Sequence, residues 1–504
     1  MTTLWLGLDV GTTAIKAAAY TLDGLQIAFA DAPSAVKQQA DGRCEQDMGQ
    51  VWQTVCAVLR DLCAQCAGQQ FSALGVAAQG DGIWCVAEDG TPTGPAMLWN
   101  DTRTADDLAE LIDAGATTPI GRGCHTSLWS GTSGMLWRWI QANDPERAEK
   151  THYVLTCADW ICLSLTGRIA TDFSDASIPF LDFATRSYSK AQIDALGCED
   201  LSSKLQPPKR ADTVLGALTA DAAASTGLPE GLPVSVGTLD LSAMLVGMGM
   251  DQPGQTMMIM GTTAVVNILT DRVTPSDTPV GASVLHPTSD VIVRVLAPTT
   301  GAAAFDWFAA LHPQSLGGAS AGDVASRLNA LVSDVPPGSN GVTFLPYLNG
   351  ERAPFVAPDI RAGFHGLSAT TTTGEMGRAV LEGAALSLRH CIEEEGGLPT
   401  APLQLTGGGA KNPVWCQIIA DVMGQPVLVS AASDHGLWGA AALGASAAGH
   451  GDAVALASKR KETLDTYYPQ HAEKYDPIFT RYTAISRHHR ALQAELNTLR
   501  KDAQ

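Results

Sequence analysis

One tetrapeptide, Gly-Thr-Thr-Ala, occurs at residues 11–14 and again at residues 261–264. Each copy lies between two apolar runs of strand length, which is the pattern of a strand, a tight turn and a second strand. The glycine lets backbone approach a ligand closely, and the threonines add hydroxyls and successive N–H groups that can hold phosphate oxygens. One such turn alone would be better explained as an ordinary polar hairpin. Two copies in a chain of 504 residues instead indicate two similar halves that bind one phosphate chain.

Two aspartates stand at strand ends near these turns. Asp9 closes the apolar run before the first turn, where a carboxylate can bind Mg²⁺ directly or through water. Asp240 ends the apolar run at 233–239 and enters a helix rich in small residues. A carboxylate held near a helix N-terminus, beside a phosphate-binding turn, suits a general base for a hydroxyl nucleophile. Capping of that helix is the alternative role for Asp240.

Charge and hydropathy exclude several classes of protein. The formal net charge of −20 and the pI near 4.8 argue against nucleic acid or an anionic membrane as a partner. No run reaches the ~18 apolar residues of a membrane span and no basic leader precedes the first apolar run, so a cytoplasmic protein is expected. The eleven cysteines do not indicate a disulfide framework. Cys63 and Cys66 have the spacing of a redox or zinc site, but no second pair accompanies them, and with Cys56 they have the spacing of one helix face, which is favoured.

Strand and helix patterns alternate in both halves of the chain. The first half predicts strands at 4–9, 15–22, 25–30 and 73–78, a helix at 46–66, and a polar rim loop over 158–177. The second half predicts strands at 257–260, 265–269 and 291–296, and helices at 302–311, 374–389, 412–423 and 473–504. The alternation predicts an α/β fold with a mixed sheet.

A glycine-rich turn, Gln79-Gly80-Asp81-Gly82, follows the predicted strand at 73–78. Strand ends of this kind carry the ligands of α/β sheets. The turn is therefore a candidate part of a ligand pocket.

A second polar cluster begins at Trp99. Its ring offers an apolar face for stacking, while Asn100, Asp101 and Arg103 can hydrogen-bond neighbouring hydroxyls of a polyhydroxylated molecule. An N-cap formed by Asn100 or Asp101, ahead of a helix at 105–112, is an alternative that is compatible with this one.

A third glycine turn lies late in the chain. A strand at 403–406 runs into Gly407, Gly408 and Gly409, and a helix begins near Asn412. A glycine turn before a helix can hold the phosphates and adenosine of a nucleotide. The chain contains neither the P-loop pattern nor the Rossmann pattern, so those two enzyme classes are not expected.

Several segments resemble the FGGY carbohydrate kinases, and the resemblance extends over essentially the whole chain. The segments are 362–367 (AGFHGL) followed after seven residues by 375–382 (EMGRAVLE), together with 9–13 (DVGTT), 345–354 (LPYLNGERAP) and 407–413 (GGGAKNP). The resemblance implies two actin/hexokinase/Hsp70-like (ribonuclease H-like) domains around a central cleft. We expect residues 1–245 to bind the sugar and supply the catalytic base, and residues 246–504 to bind ATP.

The resemblance also implies transfer of the γ-phosphate of ATP, with Mg²⁺, to a hydroxyl of a sugar or polyol. It implies Asp240 as the catalytic base and Asp9 beside the metal and phosphates. The predicted substrate-binding residues are Gln79, Gly80, Asp81, Trp99, Asn100, Asp101, Arg103 and Asp240. The predicted ATP-binding residues are Gly11, Thr12, Thr13, Lys16, Gly261, Thr262, Thr263, Gly407, Gly408, Gly409 and Asn412.

The acceptor expected from the resemblance is a ketopentose, because residues 98–103 (LWNDTR) are similar to xylulokinases. Those enzymes usually have Gln-Met-His-Gly where this chain has Gln-Gly-Asp-Gly at 79–82, a turn more like that of erythritol kinases and related to that of L-xylulose kinases. Ala158 also stands where relatives often have lysine. The alternative acceptors are erythritol, L-xylulose or another polyol.

An alternative of another class is a catalytically inactive sugar-binding regulator of the same fold, for which a base at Asp240 would have no use. The expected partner is a small sugar or polyol, without nucleic acid or membrane. A homodimer is left open.

Overall fold

The computed structural model describes residues 3–312 and 321–502. The chain forms two compact units, and we call them unit 1 and unit 2. Unit 1 consists of Met1–Pro253, Thr270–Val293 and Asp434–Lys461, and unit 2 consists of Gly254–Leu269, Arg294–Ser433 and Glu462–Gln504. Each unit contains a mixed sheet of its own with helices packed on it, so the predicted α/β fold is confirmed.

The main sheet of unit 1 is built around its first strand. Thr3–Val10 pairs antiparallel with Ala14–Tyr20 and parallel with Gln70–Ala78. The short strand Thr238–Leu239 pairs in parallel with the end of Gln70–Ala78. The strand order is Val214–Ala217, Pro233–Ser235, Gln70–Ala78, Thr3–Val10, Ala14–Tyr20 and Gln26–Pro33. Because three of these strands are parallel, their carboxyl ends meet at one edge of the sheet.

One helix of unit 1 approaches this sheet through glycines. A Cβ at Gly75 would overlap the carbonyl oxygen of Ala440, and a Cβ at Gly7 would overlap that of Leu437. Both carbonyls belong to the helix His435–Ala447, which packs on the Thr3–Val10 and Gln70–Ala78 strands. The absence of side chains at these two positions therefore allows backbone-to-backbone contact between helix and sheet.

The same helix also contacts the helix Asp240–Gly247. A Cβ at Gly439 would overlap the Ala243 carbonyl oxygen, and a Cβ at Gly247 would overlap the His435 carbonyl oxygen. The two helices thus touch through backbone atoms on both sides, and this contact fixes the start of the Asp240–Gly247 helix above the strand ends.

The other helices of unit 1 surround this core. Met48–Gln65 begins at Asp47, whose side chain accepts a hydrogen bond from the backbone N–H of Gln50, and it buries an apolar face that includes Val51, Val55 and Leu59. The remaining helices are Ala105–Asp113, Thr118–Cys124, Ser133–Asn143, Pro145–Lys150, Cys157–Thr166, Phe173–Phe180, Lys190–Ala195, Ala220–Thr226 and Ala453–Ala457. Short paired strands lie at Lys37–Gln38, Cys44–Gln46, Trp84–Val86, Ala96–Met97, Tyr153–Leu155, Thr171–Asp172, Leu181–Asp182, Ser187–Tyr188 and Pro208–Lys209.

Unit 2 repeats the arrangement of hairpin and parallel strand. Thr256–Met260 pairs antiparallel with Ala264–Thr270 and parallel with Leu403–Thr406, which in turn is parallel to Val427–Ser430. Ile292–Leu296 lies beside Ala264–Thr270 with Ala282–Leu285 next to it at that edge, and Leu464–Tyr467 forms the other edge. A small sheet pairs Thr343–Leu345 with Gly363–His365. The helices are Ala303–Leu311, Ala321–Ser333, Thr373–Glu394, Pro413–Met423 and Ala472–Asp502.

One prediction of local structure is wrong. The segment expected to form a rim loop, 158–177, lies mostly in the helices Cys157–Thr166 and Phe173–Phe180, and most of it is buried. A capping box between Thr156 and Asp159 begins the first helix, and Asp172 caps the second by accepting from the backbone N–H of Asp175. The polar residues that indicated a loop are therefore helix caps.

The helical spacing predicted for three cysteines is confirmed. All eleven cysteines are free, and Cys56 and Cys63 lie in the helix Met48–Gln65 with Cys66 at its end. Among residues 3–312 and 321–502, no helix has the length and apolar character needed to cross a membrane.

Candidate active site

Three aspartates lie where the parallel strands of unit 1 end. Asp9 is the penultimate residue of Thr3–Val10, and Asp81 lies three residues after Gln70–Ala78, in a left-handed conformation with φ of 55°. Asp240 follows Thr238–Leu239 directly and is the first residue of the helix Asp240–Gly247. The parallel pairing of the strands brings these three predicted site residues to one edge of the sheet.

The three carboxyls act on one another electrostatically. Burial, with a contribution from the charge of Asp240, raises the pKa of Asp81 to about 8. Burial also raises the pKa of Asp240 to about 7, with a contribution from the charge of Asp9, while the N–H of Leu241 donates to Asp240 Oδ1 at 2.6 Å and opposes the shift. The pKa of Asp9 is raised to about 6 by burial, and Lys16 opposes this rise. At neutral pH the group therefore carries less than its full negative charge.

Gln79 lies at the centre of a chain of side-chain hydrogen bonds. Its Oε1 accepts from Thr12 Oγ1 at 2.7 Å, and its Nε2 donates to Gln46 Oε1 at 2.8 Å. Gln46 donates in turn to Ser34 Oγ at 2.7 Å, and the indole N–H of Trp99 donates to Thr12 Oγ1 at 3.0 Å. The amide of Gln79 is thus already engaged, and it connects the first Gly-Thr-Thr turn to Trp99.

Asp101 and Arg103 are predicted substrate-binding residues that bind each other. Arg103 donates to both carboxylate oxygens of Asp101, at 2.9 and 2.7 Å, and to Glu45 at 2.6 Å, while its guanidinium lies 4.6 Å from the ring centre of Trp139. Asp101 is fully buried and also accepts from the backbone N–H of Cys44. With these bonds in place the pair holds the loop that carries Trp99.

Trp99 and Asn100 remain accessible in that loop. Trp99 is 37% exposed, and Asn100 is exposed. A Cβ at Gly131 would overlap the carbonyl oxygen of Trp99, so the loop that carries Trp99 packs directly against the backbone of Gly131. Of the second polar cluster, these two residues are the ones with free surface for a ligand.

A buried polar network beneath Asp240 was missed at the level of sequence. Thr238 Oγ1 donates to Asp172 Oδ2 at 2.8 Å, and the Ser174 hydroxyl contacts Asp172, Thr238 and the backbone N–H of Leu239. This network fixes the backbone that precedes Asp240. Asp-x-Ser-Asp at 172–175 is a helix-start pattern, and that signal could have located it.

In unit 2 the two predicted nucleotide turns are neighbours. Met260 ends one strand just before Gly261, and the parallel strand Leu403–Thr406 ends just before Gly407. Gly407 has φ of 95°, and a Cβ there would lie 2.7 Å from the Met260 carbonyl oxygen. The structure therefore brings Gly261, Thr262 and Thr263 close to Gly407, Gly408 and Gly409.

A helix begins directly behind the Gly261 turn. The backbone N–H groups of Ala302 and Gly301 donate to the carbonyl oxygens of Gly261 and Thr262, at 2.6 and 3.0 Å, and the helix Ala303–Leu311 follows. Thr262 and Thr263 are exposed beside this helix start. A glycine turn at a helix N-terminus is suited to bind phosphate oxygens.

Asn412 caps the N-terminus of the helix Pro413–Met423. Its Oδ1 accepts from the backbone N–H groups of Val414 and Trp415, and its Nδ2 donates to Asn329 at 2.9 Å. A cavity of about 510 Å³ in unit 2 is lined by Val414 and Gln417 of this helix, but by none of the predicted ATP-binding residues.

Asp9 has an oxygen that could bind Mg²⁺. Asp9 Oδ1 is buried and accepts no hydrogen bond from the part of the chain that the structure describes. Within the same residues, no group of three or more His, Cys, Asp or Glu is arranged to hold a metal. A single carboxylate with an unused oxygen fits Mg²⁺, which commonly binds through one or two carboxylates, water and substrate phosphates.

Comparison with known families gives two matches that together cover most of the chain. The N-terminal domain model of the FGGY family of carbohydrate kinases matches residues 4–247, and the C-terminal domain model of that family matches residues 256–448.

Proteins similar to this chain include several that are named as sugar or polyol kinases. The chain is 32% identical to an erythritol kinase from Brucella abortus over 88% of this chain and 87% of that protein. It is 28% identical to the L-xylulose/3-keto-L-gulonate kinase of Escherichia coli, over 88% and 87%. The crystal structure of xylulose kinase from Rhodospirillum rubrum superposes with a TM-score of 0.87 at 26% identity, over 97% of this chain and 100% of that one.

Because the pKa values of the buried Asp81 and Asp240 are raised, we expect the free energy of unfolding to fall as the pH rises. In the unfolded chain Asp81 and Asp240 are ionised above about pH 5, whereas in the folded chain their pKa values are about 8 and 7, so the folded state binds more protons. Without Mg²⁺, these two groups alone should lower the free energy of unfolding by about 2 kcal/mol between pH 6.5 and 8.0. Asp159 and Glu351, whose pKa values are raised to about 7 by burial, should add to the decrease. His286, whose pKa is lowered to about 4 by burial, affects only lower pH.

This prediction is measured by denaturant unfolding at several pH values with a chelator present. Asp81→Asn removes one titrating group without changing its shape, and it should flatten the slope. A free energy that stays constant or rises over this pH interval in the unsubstituted protein would contradict the predicted proton uptake.

Proposed function

This chain belongs to the FGGY family of carbohydrate kinases, which transfer phosphate from ATP to small sugars, and on that premise we propose that it phosphorylates a short acyclic polyol. We propose that unit 1 binds the acceptor and that unit 2 binds the nucleotide. The observation that carries the proposal is the convergence of Asp9, Asp81 and Asp240 at one sheet edge.

We propose Asp240 as the general base. The N–H of Leu241 holds Asp240 Oδ1, which leaves Oδ2 to take the proton of the acceptor hydroxyl. A pKa near 7 suits this role, because such a carboxylate is ionised enough to accept a proton and basic enough to keep it during transfer.

We propose that phosphate oxygens are held by backbone donors of the three glycine turns. Asp9, through its unused Oδ1, would bind Mg²⁺ directly or through water. When bound, the metal supplies positive charge that offsets the charge of the phosphates. Lys16 faces Asp9 across the Thr3–Val10 and Ala14–Tyr20 pair and adds a positive charge on that side.

The preference for a polyol rests on Asp81. Above its pKa of about 8 the carboxylate of Asp81 only accepts hydrogen bonds, so it pairs with hydroxyls and gives a ketose carbonyl no donor. The similarity to an erythritol kinase supports the same choice. A four-carbon polyol is therefore the proposed acceptor.

A ketopentose is the second candidate. It is favoured by the similarity around Trp99 and by the likeness to a solved xylulose kinase.

The division at residue 245 and the cytoplasmic location stay predictions, and a homodimer stays open.

The role of Asp240 is tested by Asp240→Asn. The amide has the same shape but cannot take a proton, so kcat for the best polyol should fall by ~10²–10⁴-fold while binding of the polyol, followed by calorimetry, changes little. Asp23→Asn makes the same substitution at an exposed turn and should leave kcat unchanged. A kcat for Asp240→Asn within tenfold of the parent would refute the assignment.

The role of Asp81 is tested by Asp81→His. A histidine can donate to a carbonyl oxygen, so the ratio of kcat/KM for D-xylulose to that for erythritol should rise, by at least about tenfold. The measurement is kcat/KM for both acceptors with both proteins at about pH 9, where the Asp81 carboxyl is ionised. If both values move together and the ratio stays constant, Asp81 does not select between hydroxyl and carbonyl.

A further inference from the structure

The side chain of Leu239 occupies the space beside Gly80. A Cβ built at Gly80 would lie 2.0 Å from the Cδ1 methyl of Leu239 and would overlap it. Leu239 is only 8% exposed, so little of it is free to move aside into solvent. A leucine at 239 and a glycine at 80 therefore form a matched pair, in which one residue fills the volume that the other leaves.

The pair of Leu239 and Gly80 lies next to two residues with proposed functions. Leu239 immediately precedes Asp240, and Gly80 immediately precedes Asp81. The strands that carry them are adjacent and parallel, with Leu239 opposite Ala78. The contact between Gly80 and Leu239 therefore places the residues that follow them, Asp81 and Asp240, near each other. An isobutyl group thus lies alongside the two groups proposed to bind and deprotonate the acceptor.

The surroundings hold the leucine in place. Its backbone N–H contacts Ser174 Oγ at 3.4 Å, and the preceding Thr238 is bound to Asp172. The carboxyl of Asp175 also lies near Gly80; its Oδ1 is buried without a hydrogen-bond partner among the described residues and would be 3.7 Å from a Cβ at Gly80. A side chain at position 80 would therefore meet both the Leu239 methyl and this carboxyl oxygen.

We infer that Leu239 is a specificity-determining residue that limits the length of the acceptor. Its methyl groups offer no hydrogen bond to a hydroxyl, and they fill the room that an additional hydroxymethylene group would need beside Asp81 and Asp240. The site therefore accepts a four-carbon polyol and disfavours a five-carbon one. This inference rests on the proposed function, because it takes Asp81 and Asp240 as the acceptor site.

The test compares erythritol with ribitol, which differ in chain length but not in functional group. Leu239→Ala removes the isopropyl group and should raise the ratio of kcat/KM for ribitol to that for erythritol by about tenfold or more, since one carbon unit in a pocket is worth ~10–200-fold. Leu215→Ala is the matched control, because Leu215 is 7% exposed, lies in the strand Val214–Ala217 and is not part of the site. It should lower stability without changing the ratio.

Gly80→Ala tests the pairing itself. Alone it should lower kcat/KM for both polyols, because its Cβ overlaps Leu239; combined with Leu239→Ala, much of the loss should be recovered. Binding of each polyol, measured by its effect on the melting temperature, gives a second readout if a variant loses turnover, and Leu239→Val replaces Leu239→Ala if the latter fails to fold.

The outcomes distinguish the inference from the proposed function. If the unsubstituted protein phosphorylates erythritol but the ratio is the same in the Leu239 variants, the inference is wrong and the proposed function stands. The inference is also overturned if the double variant is no better than Gly80→Ala. If the unsubstituted protein phosphorylates neither a polyol nor a ketopentose, the proposed function is wrong and the inference is overturned with it.

Discussion

The site of unit 1 depends on a backbone contact between one helix and the sheet beneath it. The helix His435–Ala447 touches the sheet where Gly7 and Gly75 lack side chains, and it touches the Asp240–Gly247 helix through Gly439 and Gly247. Backbone atoms have no rotamers, so a contact of this kind cannot adjust as a side-chain contact can. The position of Asp240 relative to the parallel strand ends is therefore set by the packing of main chains, and the network of Asp172, Ser174 and Thr238 adds hydrogen bonds to the same backbone. The segment that contributes the helix comes from far along the chain, which explains why unit 1 contains Asp434–Lys461.

That rigidity brings carboxyls together at a cost in electrostatic energy. Burial raises the pKa values of Asp9, Asp81 and Asp240, and the charge of Asp240 adds to the rise at Asp81 as the charge of Asp9 does at Asp240. Burial together with the neighbouring charges of Asp172 and Asp159 raises the pKa of Asp175 as well. Perturbed carboxyls of this kind concentrate at functional sites. An uncharged, hydroxyl-rich acceptor suits such a pocket better than an anionic one does. The acidic chain, with a net charge of −20, offers little general attraction to phosphate, so the nucleotide must be held by local donors such as the glycine turns.

The sequence allowed the fold class and the main strands to be predicted, because the repeated Gly-Thr-Thr turn and the alternation of apolar runs are local signals. It also placed Asp9, Asp81 and Asp240 at strand ends, and the parallel pairing then brought them together. Two kinds of information were not local. The pairing of Arg103 with Asp101 and Glu45 depends on a strand far back in the chain, so the sequence could not reveal that these polar groups are already bonded. The contact of Leu239 with Gly80 depends on the register of two strands that are distant in sequence. The segment 158–177 was misread because buried helix caps use the same residue types as loops.

The central claim is that the acceptor binds at the ends of the parallel strands of unit 1, beside Asp81 and Asp240. A crystal structure of the protein soaked with erythritol tests it most directly. We expect the hydroxyls of the polyol to lie within hydrogen-bond distance of the carboxyl groups of Asp81 and Asp240, with its carbon chain against the side chain of Leu239. Asp101 and Arg103 should stay bonded to each other. A polyol bound instead to Asp101 and Arg103, with their ion pair broken and with no contact to Asp81 or Asp240, would contradict it.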